Sequence, residues 1–419
     1  MKVLLIGHAC CPDMGSEWGL TWNWALQLAA LHDVWVLAHP EHRAEIDDYL
    51  THHPIPTLQF VWVTVPRLLD PWVPEQHRGS ARLHYLLWQR AAFRVARRLH
   101  STENFDVIHQ VSWASIAAPP LLWRLPPPFV WGPVGGGQRV PTLLARYLHE
   151  SRFAESIRSL RLRAAPYAPG LRSAVRFSAA VIATNRETAD LLARAGAREI
   201  LCWPDAGVDA PSMQRPAQSR ADGGELLLHW CGRLERWKGL GLALEALSEA
   251  RGVRWHLVVS GTGPLQAEYL QLAARLKIAD RVVFQGAVSR DLLLMQFREA
   301  HAFLFTSLRD SFGYVVLDAL SQGLPVITLA HQGVGTHVPS PCAFKIPVSS
   351  PEATRAGLAH AVEILARRED IRQGMACSAW EYAATETWDK RAQRMTRIYE
   401  AAVPSRLRRT GTVTVEAYR

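Results

Sequence analysis

Short apolar strands alternate with amphipathic helices along the whole chain, and the alternation begins twice. Residues 3–6, Val-Leu-Leu-Ile, read as a buried strand. A helix over 17–30 follows, with Trp18, Trp22, Ala25, Leu26 and Ala29 along one stripe. Strand-type runs recur at 34–37, 60–65, 107–108, 129–131 and 180–183, with helices over 82–100 and 187–195. A polar stretch at 215–224, carrying Pro216, Gly223 and Gly224, interrupts the pattern as a linker. A fresh first strand then starts at 226–231, followed by strands at 255–260, 282–285, 302–305 and 326–328, with helices between them and after them. Strand–helix–strand repetition implies an α/β chain with doubly wound parallel sheets, and two series imply two Rossmann-like domains facing across a cleft. The sequence predicts domains over 1–210 and 211–385, a helix over 386–404 crossing back to the first domain, and a tail over 405–419. Ligands of such sheets sit beyond the carboxyl ends of the strands.

With 419 residues, 48% of them hydrophobic, the chain can fill two cores. Its six cysteines show no metal-ligand spacing, and the neighbours Cys10 and Cys11 make a poor disulfide framework, so a reducing cytosol is expected. The run after Lys2 stops at Gly7-His8, too short for a signal sequence, and no run reaches membrane-spanning length. A cytoplasmic protein is expected.

The net charge of +9 is concentrated in arginines over 82–98 and 139–176. These are either solvated helix faces or a contact with anionic lipid or a phosphorylated substrate. In the second case Leu86, Leu87 and Phe93 enter the interface at the inner face of a membrane. No nucleic-acid module is recognisable. The absence of Gly-x-Gly-x-x-Gly after Ile6, of a Walker loop and of Gly-x-Ser-x-Gly argues against nicotinamide, flavin, P-loop and serine-hydrolase chemistry. Asp47-Asp48, His52-His53 and His149-Glu150 lack a metal-site context, so no metal and no cofactor are expected.

The glycine-bearing loops all follow strands. Gly232-Arg233-Leu234-Glu235-Arg236-Trp237-Lys238-Gly239 leaves the first strand of the second half, and Arg233 and Lys238 suit a diphosphate. Gly261-Thr262-Gly263-Pro264 follows the second strand, and Gly286-Ala287-Val288 the third. Asp310-Ser311-Phe312-Gly313-Tyr314-Val315 leaves the strand 302–305 and opens a helix that carries Asp318, so backbone N–H groups and a positive helix end point above the sheet. In the first half, Gly15 and Ser16 join strand to helix, Asp106-Val107-Ile108-His109 ends a strand, and Gly135, Gly136 and Gly137 permit close backbone approach by a ligand.

The pair Asp310 and Asp318 resembles the Glu-x7-Glu signature of family 4 retaining, nucleotide-sugar-dependent glycosyltransferases, the glycogen-synthase-like group 1 enzymes, with Asp in place of both Glu. The resemblance is strong over 226–338 and loose over 38–105 and 139–178. It implies the GT-B fold and a retaining transfer from a nucleotide diphosphate sugar to an acceptor, in polysaccharide or glycoconjugate synthesis, with a lipid-linked saccharide among the candidate acceptors. It gives Arg233 and Lys238 the donor diphosphate, Asp310 the donor sugar, Asp318 the ribose, and the Val288 backbone the base. Phe312, Gly313, Tyr314 and Val315 offer backbone to the phosphates, Gly15 and Ser16 lie against the donor, and His109 is the catalytic histidine. Many members place a second His two residues on, where this chain has Val111. The Asp-for-Glu changes keep two alternatives open: a binding protein of the same fold without catalysis, and a nucleotide-sugar epimerase.

Overall fold

The computed structural model describes residues 1–12, 14–66, 70, 72–73, 78–113, 115–210 and 224–403. The predicted linker at 215–224, apart from Gly224, and the predicted tail lie outside them.

The first sheet holds seven parallel strands: β1 (Lys2–Ile6), β2 (Asp33–Ala38), β3 (Leu58–Trp62), β6 (Val107–Gln110), β7 (Phe129–Val134), β8 (Ala180–Ala183) and β9 (Ile200–Cys202), in the order β3-β2-β1-β6-β7-β8-β9. Between β3 and β6 lies a separate antiparallel pair, β4 (Trp72–Val73) with β5 (Arg78–Gly79). The second sheet holds β10 (Leu226–Cys231), β11 (Trp255–Ser260), β12 (Val282–Gly286), β13 (Ala302–Phe305), β14 (Val326–Leu329) and β15 (Ala343–Ile346), in the order β12-β11-β10-β13-β14-β15. Both sheets reverse direction of winding beside their first strand, between β1 and β6 and between β10 and β13. This is the GT-B arrangement of two Rossmann-like domains.

A parallel sheet is covered on both faces, so alternate residues of one strand enter opposite cores. Leu4 and Ile6 of β1 pack in one cluster with Tyr85, Trp88 and Trp131, while Val3 and Leu5 pack in another with Trp22, Trp24 and Leu28. Leu226, Leu228 and Trp230 of β10 likewise face away from Leu227 and Cys231.

Two segments cross between the halves. Val140, Leu144, Tyr147 and Leu148 belong to the first half in sequence, between β7 and β8, yet they are buried in the core of the second domain beside Leu240 and Leu244. The Tyr147 hydroxyl donates to Glu245 at 2.7 Å. In return, the last helix, Trp388–Ala402, lays Trp388, Ala392, Met395 and Tyr399 into the first-domain core. Trp388 meets Trp24 edge-to-face, with ring centroids 5.6 Å apart. Arg391, fully buried, anchors the helix start by donating to the Pro204 carbonyl at 2.6 Å and to Glu386 at 2.7 Å. Among the described residues, no helix is long and apolar enough to cross a membrane.

Trp388 is 1% exposed. Its replacement by Ala should therefore cost about 3–5 kcal/mol through lost burial and a residual cavity. Urea unfolding followed by Trp fluorescence checks this; a loss under 1 kcal/mol (about a fivefold change in the folding equilibrium) would mean that the last helix does not bind the first domain as described.

Candidate active site

The two switch points face each other, and a cleft of about 460 Å³ lies between them. The second domain contributes Cys231 and Gly232 from the end of β10, Lys238 from the loop after it, and Phe305, Asp310, Ser311, Gly313, Tyr314 and Val315 from the end of β13 onward. The first domain contributes Glu17, Leu20, Val111, Ser115, Pro133, Gly135, Gly136 and Gln138, with Asp205 from the segment leading out of it.

Lys238 and Asp310 meet here. The Lys238 ammonium donates to Asp310 Oδ2 at 2.5 Å, and neither side chain is more than about a quarter exposed, at 26% and 18%. Backbone stitching holds the two loops together: Thr306 Oγ1 donates to the Gly239 carbonyl at 2.9 Å, and Leu308 N–H to the Trp237 carbonyl at 2.7 Å. Gly239 is left-handed, and a Cβ there would lie 2.0 Å from the Thr306 carbonyl oxygen, so only glycine allows this approach. Gly313, also at positive φ, caps the helix Tyr314–Ser321, whose first N–H groups open onto the cleft.

Gln332, in a segment that only loosely matches a family motif, fixes this loop against the first domain. Gln332 accepts from Asp310 N–H at 2.6 Å and donates to the carbonyls of Leu308 and Arg139, both at 2.9 Å. Its own N–H donates to Glu187 Oε1 at 3.0 Å. Asn185 adds a bond to the Ser311 carbonyl at 2.9 Å, and Arg309 pairs with Glu155.

The first-domain wall is acidic, which went unread. Glu17 is exposed by surface area because the cleft is open, yet its carboxyl is closely surrounded. Burial, and then the Asp205 carboxylate, push its pKa up to about 7. Asp205 is itself raised by burial, against a 3.0 Å hydrogen bond from the Ser311 hydroxyl. Glu17 stands one residue beyond the Gly15-Ser16 pair, and a helix start with two small residues could have flagged it. Asp205 carries no local signal.

Several expected site residues lie elsewhere. His109 is fully buried. Its Nδ1 bonds to the Tyr399 hydroxyl at 2.6 Å and its Nε2 to the Gly132 carbonyl at 2.7 Å, and burial lowers its pKa to about 4. Its catalytic assignment is therefore corrected: His109 is a core histidine that ties the last helix to β7. Val111, two residues on, reaches the cleft instead. The Arg233 side chain is 72% exposed, lies 3.5 Å from Glu235 and does not line the cleft. Asp318 is 4% exposed, raised by burial, and held at 2.7 Å by Arg290, which also binds Asp209 at 2.9 Å. Neither Asp318 nor Val288 lines the cleft, and Phe312 is buried beneath it. Gly135 and Gly136 form its wall, while Gly137 packs against Thr188 and donates to its hydroxyl at 3.1 Å. Gly15 sits exposed at the helix start with Ser16 after it. Among the described residues, no group of three or more His, Cys, Asp or Glu could hold a metal ion.

Residues 213–373 match the family model described as Glycosyl transferases group 1. The D-inositol 3-phosphate glycosyltransferase of Streptomyces griseus is 31% identical over 215 residues, covering 48% of this chain and 45% of the relative. The enzyme of that name from Frankia alni is 33% identical, covering 47% and 52%. The chain thus matches about half the length of these curated relatives. Among solved structures, the sucrose-phosphate synthase of Thermosynechococcus elongatus superposes with a TM-score of 0.65 at 17% identity, over 95% of this chain and 98% of that one. The Anabaena HepE structure in complex with UDP gives 0.61 at 16%, over 96% and 100%. These likenesses show the fold.

Glu17 gives a pH test. An acid whose folded pKa is raised ionises at a cost, which is absent below about pH 4 and grows as pH rises through 7. Glu17→Gln should therefore melt level with the parent at about pH 4 and above it at about pH 8. Thermal unfolding across that range checks it, and a constant offset would place the carboxyl in an ordinary solvated setting.

Proposed function

We propose that this chain, whose second half carries a group 1 glycosyltransferase domain, moves a sugar from a nucleoside diphosphate sugar to an acceptor hydroxyl with retention at the anomeric carbon. The observation that carries the reading is the Lys238–Asp310 pair at the mouth of a helix N-terminus, at the switch point of the second sheet. Breaking the anomeric C–O bond leaves a diphosphate anion and an oxocarbenium-like sugar. The Lys238 ammonium and the N–H groups at Gly313, Tyr314 and Val315 would meet the anion, with Arg233 swinging in from the lip as the donor binds. Asp310, holding Lys238 in place, would face the sugar. At the nucleoside end the reading keeps the Val288 backbone for the base. It keeps Asp318, acting through Arg290, for the ribose.

The proposed donor shares its nucleoside diphosphate part with the UDP that the HepE complex contains. The acceptor side of the cleft does not suit the phosphate in the name of the curated relatives. Those relatives are named for D-inositol 3-phosphate. The wall here presents Glu17 and Asp205, and among the described residues lining the cleft Lys238 is the one Lys or Arg. Two carboxylates disfavour an anionic group beside them, so a hydroxyl-bearing saccharide without a phosphate in the cleft is the proposed acceptor. An epimerase or a catalytically silent binding protein would release no sugar to any acceptor.

Lys238→Ala should keep the parent melting temperature and lower turnover by about 2–4 kcal/mol of barrier, roughly thirty- to a thousand-fold. The donor is first found by thermal shift with a panel of nucleotide sugars, and transfer is then followed by release of the nucleoside diphosphate. Unchanged kinetics in Lys238→Ala would remove it from the donor site.

Contact with a membrane surface, cytosolic and peripheral, belongs to the same proposal, with the helix Arg152–Ala164 as its proposed face. Leu87 and Phe93 pack against the first-domain core. On the helix Arg152–Ala164, by contrast, Phe153, Ile157 and Leu160 fall at i, i+4 and i+7, and Phe153 and Leu160 are 74% and 66% exposed. Arg152, Arg161 and Arg163 flank them and are exposed too. Phe153→Ser with Leu160→Ser should abolish co-sedimentation with anionic vesicles while leaving the melting temperature unchanged; retention of binding would exclude this helix as the contact.

A further inference from the structure

In the first domain, one surface groove gathers positive charge that is paired with no carboxylate among the described residues. Arg90, Arg94 and Arg97 follow at i, i+4 and i+7 along the helix Ala81–Glu103. With Phe93, Leu121 and Arg124 they line a surface groove of about 390 Å³. Like charges at this spacing on a helix repel. The helix has no Asp or Glu before Glu103, and Glu103 is paired with Lys2 at 3.0 Å. The opposite wall, residues 117–128, has no acid either.

Other arginines of the molecule are paired with carboxylates. Arg158 and Arg309 pair with Glu155, Arg236 with Glu268, Arg290 with Asp209 and Asp318, Arg355 with Glu249, and Arg391 with Glu386. No carboxylate among the described residues does this for Arg90, Arg94, Arg97 or Arg124. An aromatic rim completes the groove. Arg124 lies over the Trp123 ring at 5.1 Å, and Trp123 stacks on Phe177 at 4.9 Å. Phe177 is 56% exposed, with Arg176 at 5.9 Å from its ring.

We propose that this groove binds a phosphate ester, with the guanidinium groups of Arg90, Arg94, Arg97 and Arg124 meeting its oxygens. Planar guanidinium forks match a tetrahedral oxyanion, and four of them converging without a carboxylate are compensated by such a ligand. Phe93 and Leu121 within the groove, and Phe177 at its rim, accept an apolar group attached to that phosphate. A soluble phosphate ester and a phospholipid headgroup share this chemistry. None of its lining residues belongs to the cleft that holds Lys238, and the site stands independently of the transfer reaction.

The test uses the full chain, with the probes glycerol 3-phosphate and vesicles of phosphatidylglycerol, against phosphatidylcholine vesicles as the neutral control. The variants are Arg94→Glu with Arg97→Glu, and separately Arg124→Glu, on different elements, so that one remains informative if the other misfolds. Lys238→Ala separates any anion binding in the cleft. Thermal shift with glycerol 3-phosphate should survive Lys238→Ala and weaken about tenfold in affinity in the arginine variants. That result alone identifies a soluble ester. A loss of about tenfold in partition to phosphatidylglycerol in the same variants identifies a headgroup. Failure of the parent protein to bind either probe, or binding that the arginine variants leave intact, overturns the proposal.

Discussion

The geometry of the cleft depends on an exchange of chain between the two cores. Residues 140–148 leave the first domain and fill a gap over the helix Leu240–Glu249, while the helix Trp388–Ala402 returns to cover β1 and the helix Ser16–Ala29. Each exchange buries large side chains, and burial of this kind is worth about 1.5–3 kcal/mol per apolar side chain. A simple linker would let the two sheets drift. Two plugs seated in opposite directions set the facing of their carboxyl edges, and with it the gap in which Lys238, Asp310 and Glu17 come together. The polar contacts across that gap, centred on the Gln332 amide, then fix the fine position of the Asp310 loop.

The alternation of strands and helices was legible because parallel strands with both faces buried must be short and continuously apolar. The strand at 302–305 and the helix after it stood out for that reason, and so did the second start at 226. The strands β9 and β15 did not. Ile-Leu-Cys is three residues long, and Ala-Phe-Lys-Ile carries a lysine at the exposed edge, so neither forms a run that differs from loop sequence. The helices Arg152–Ala164 and Glu369–Thr385 are similarly masked by charge.

Within the site, residue type and strand-end position located the loops but not the direction of each side chain. Lys238 and Asp310 are 72 positions apart and meet because β10 and β13 are neighbours at the switch point. His109 also stands at a strand end, but on a central strand whose four residues are all buried, and there a histidine is held by Tyr399 from the last helix. Nothing local tells these two cases apart. The difference lies in which element covers the strand end, and for His109 that element arrives almost three hundred positions later.

The exchanged segments also bear on how such a protein can diversify. A genetic crossover at the junction between the halves is the shortest route to pairing one donor domain with a new acceptor domain. Here it would deliver each domain with the wrong filler: the incoming second domain would receive the old 140–148 segment, and its own final helix would have to fit an unfamiliar Trp24 surface. The heritable unit of donor recognition is therefore discontinuous. Exchange that preserves folding must move 140–148 together with the second domain and leave the last helix behind, which favours change by substitution within the cleft loops over wholesale shuffling of domains.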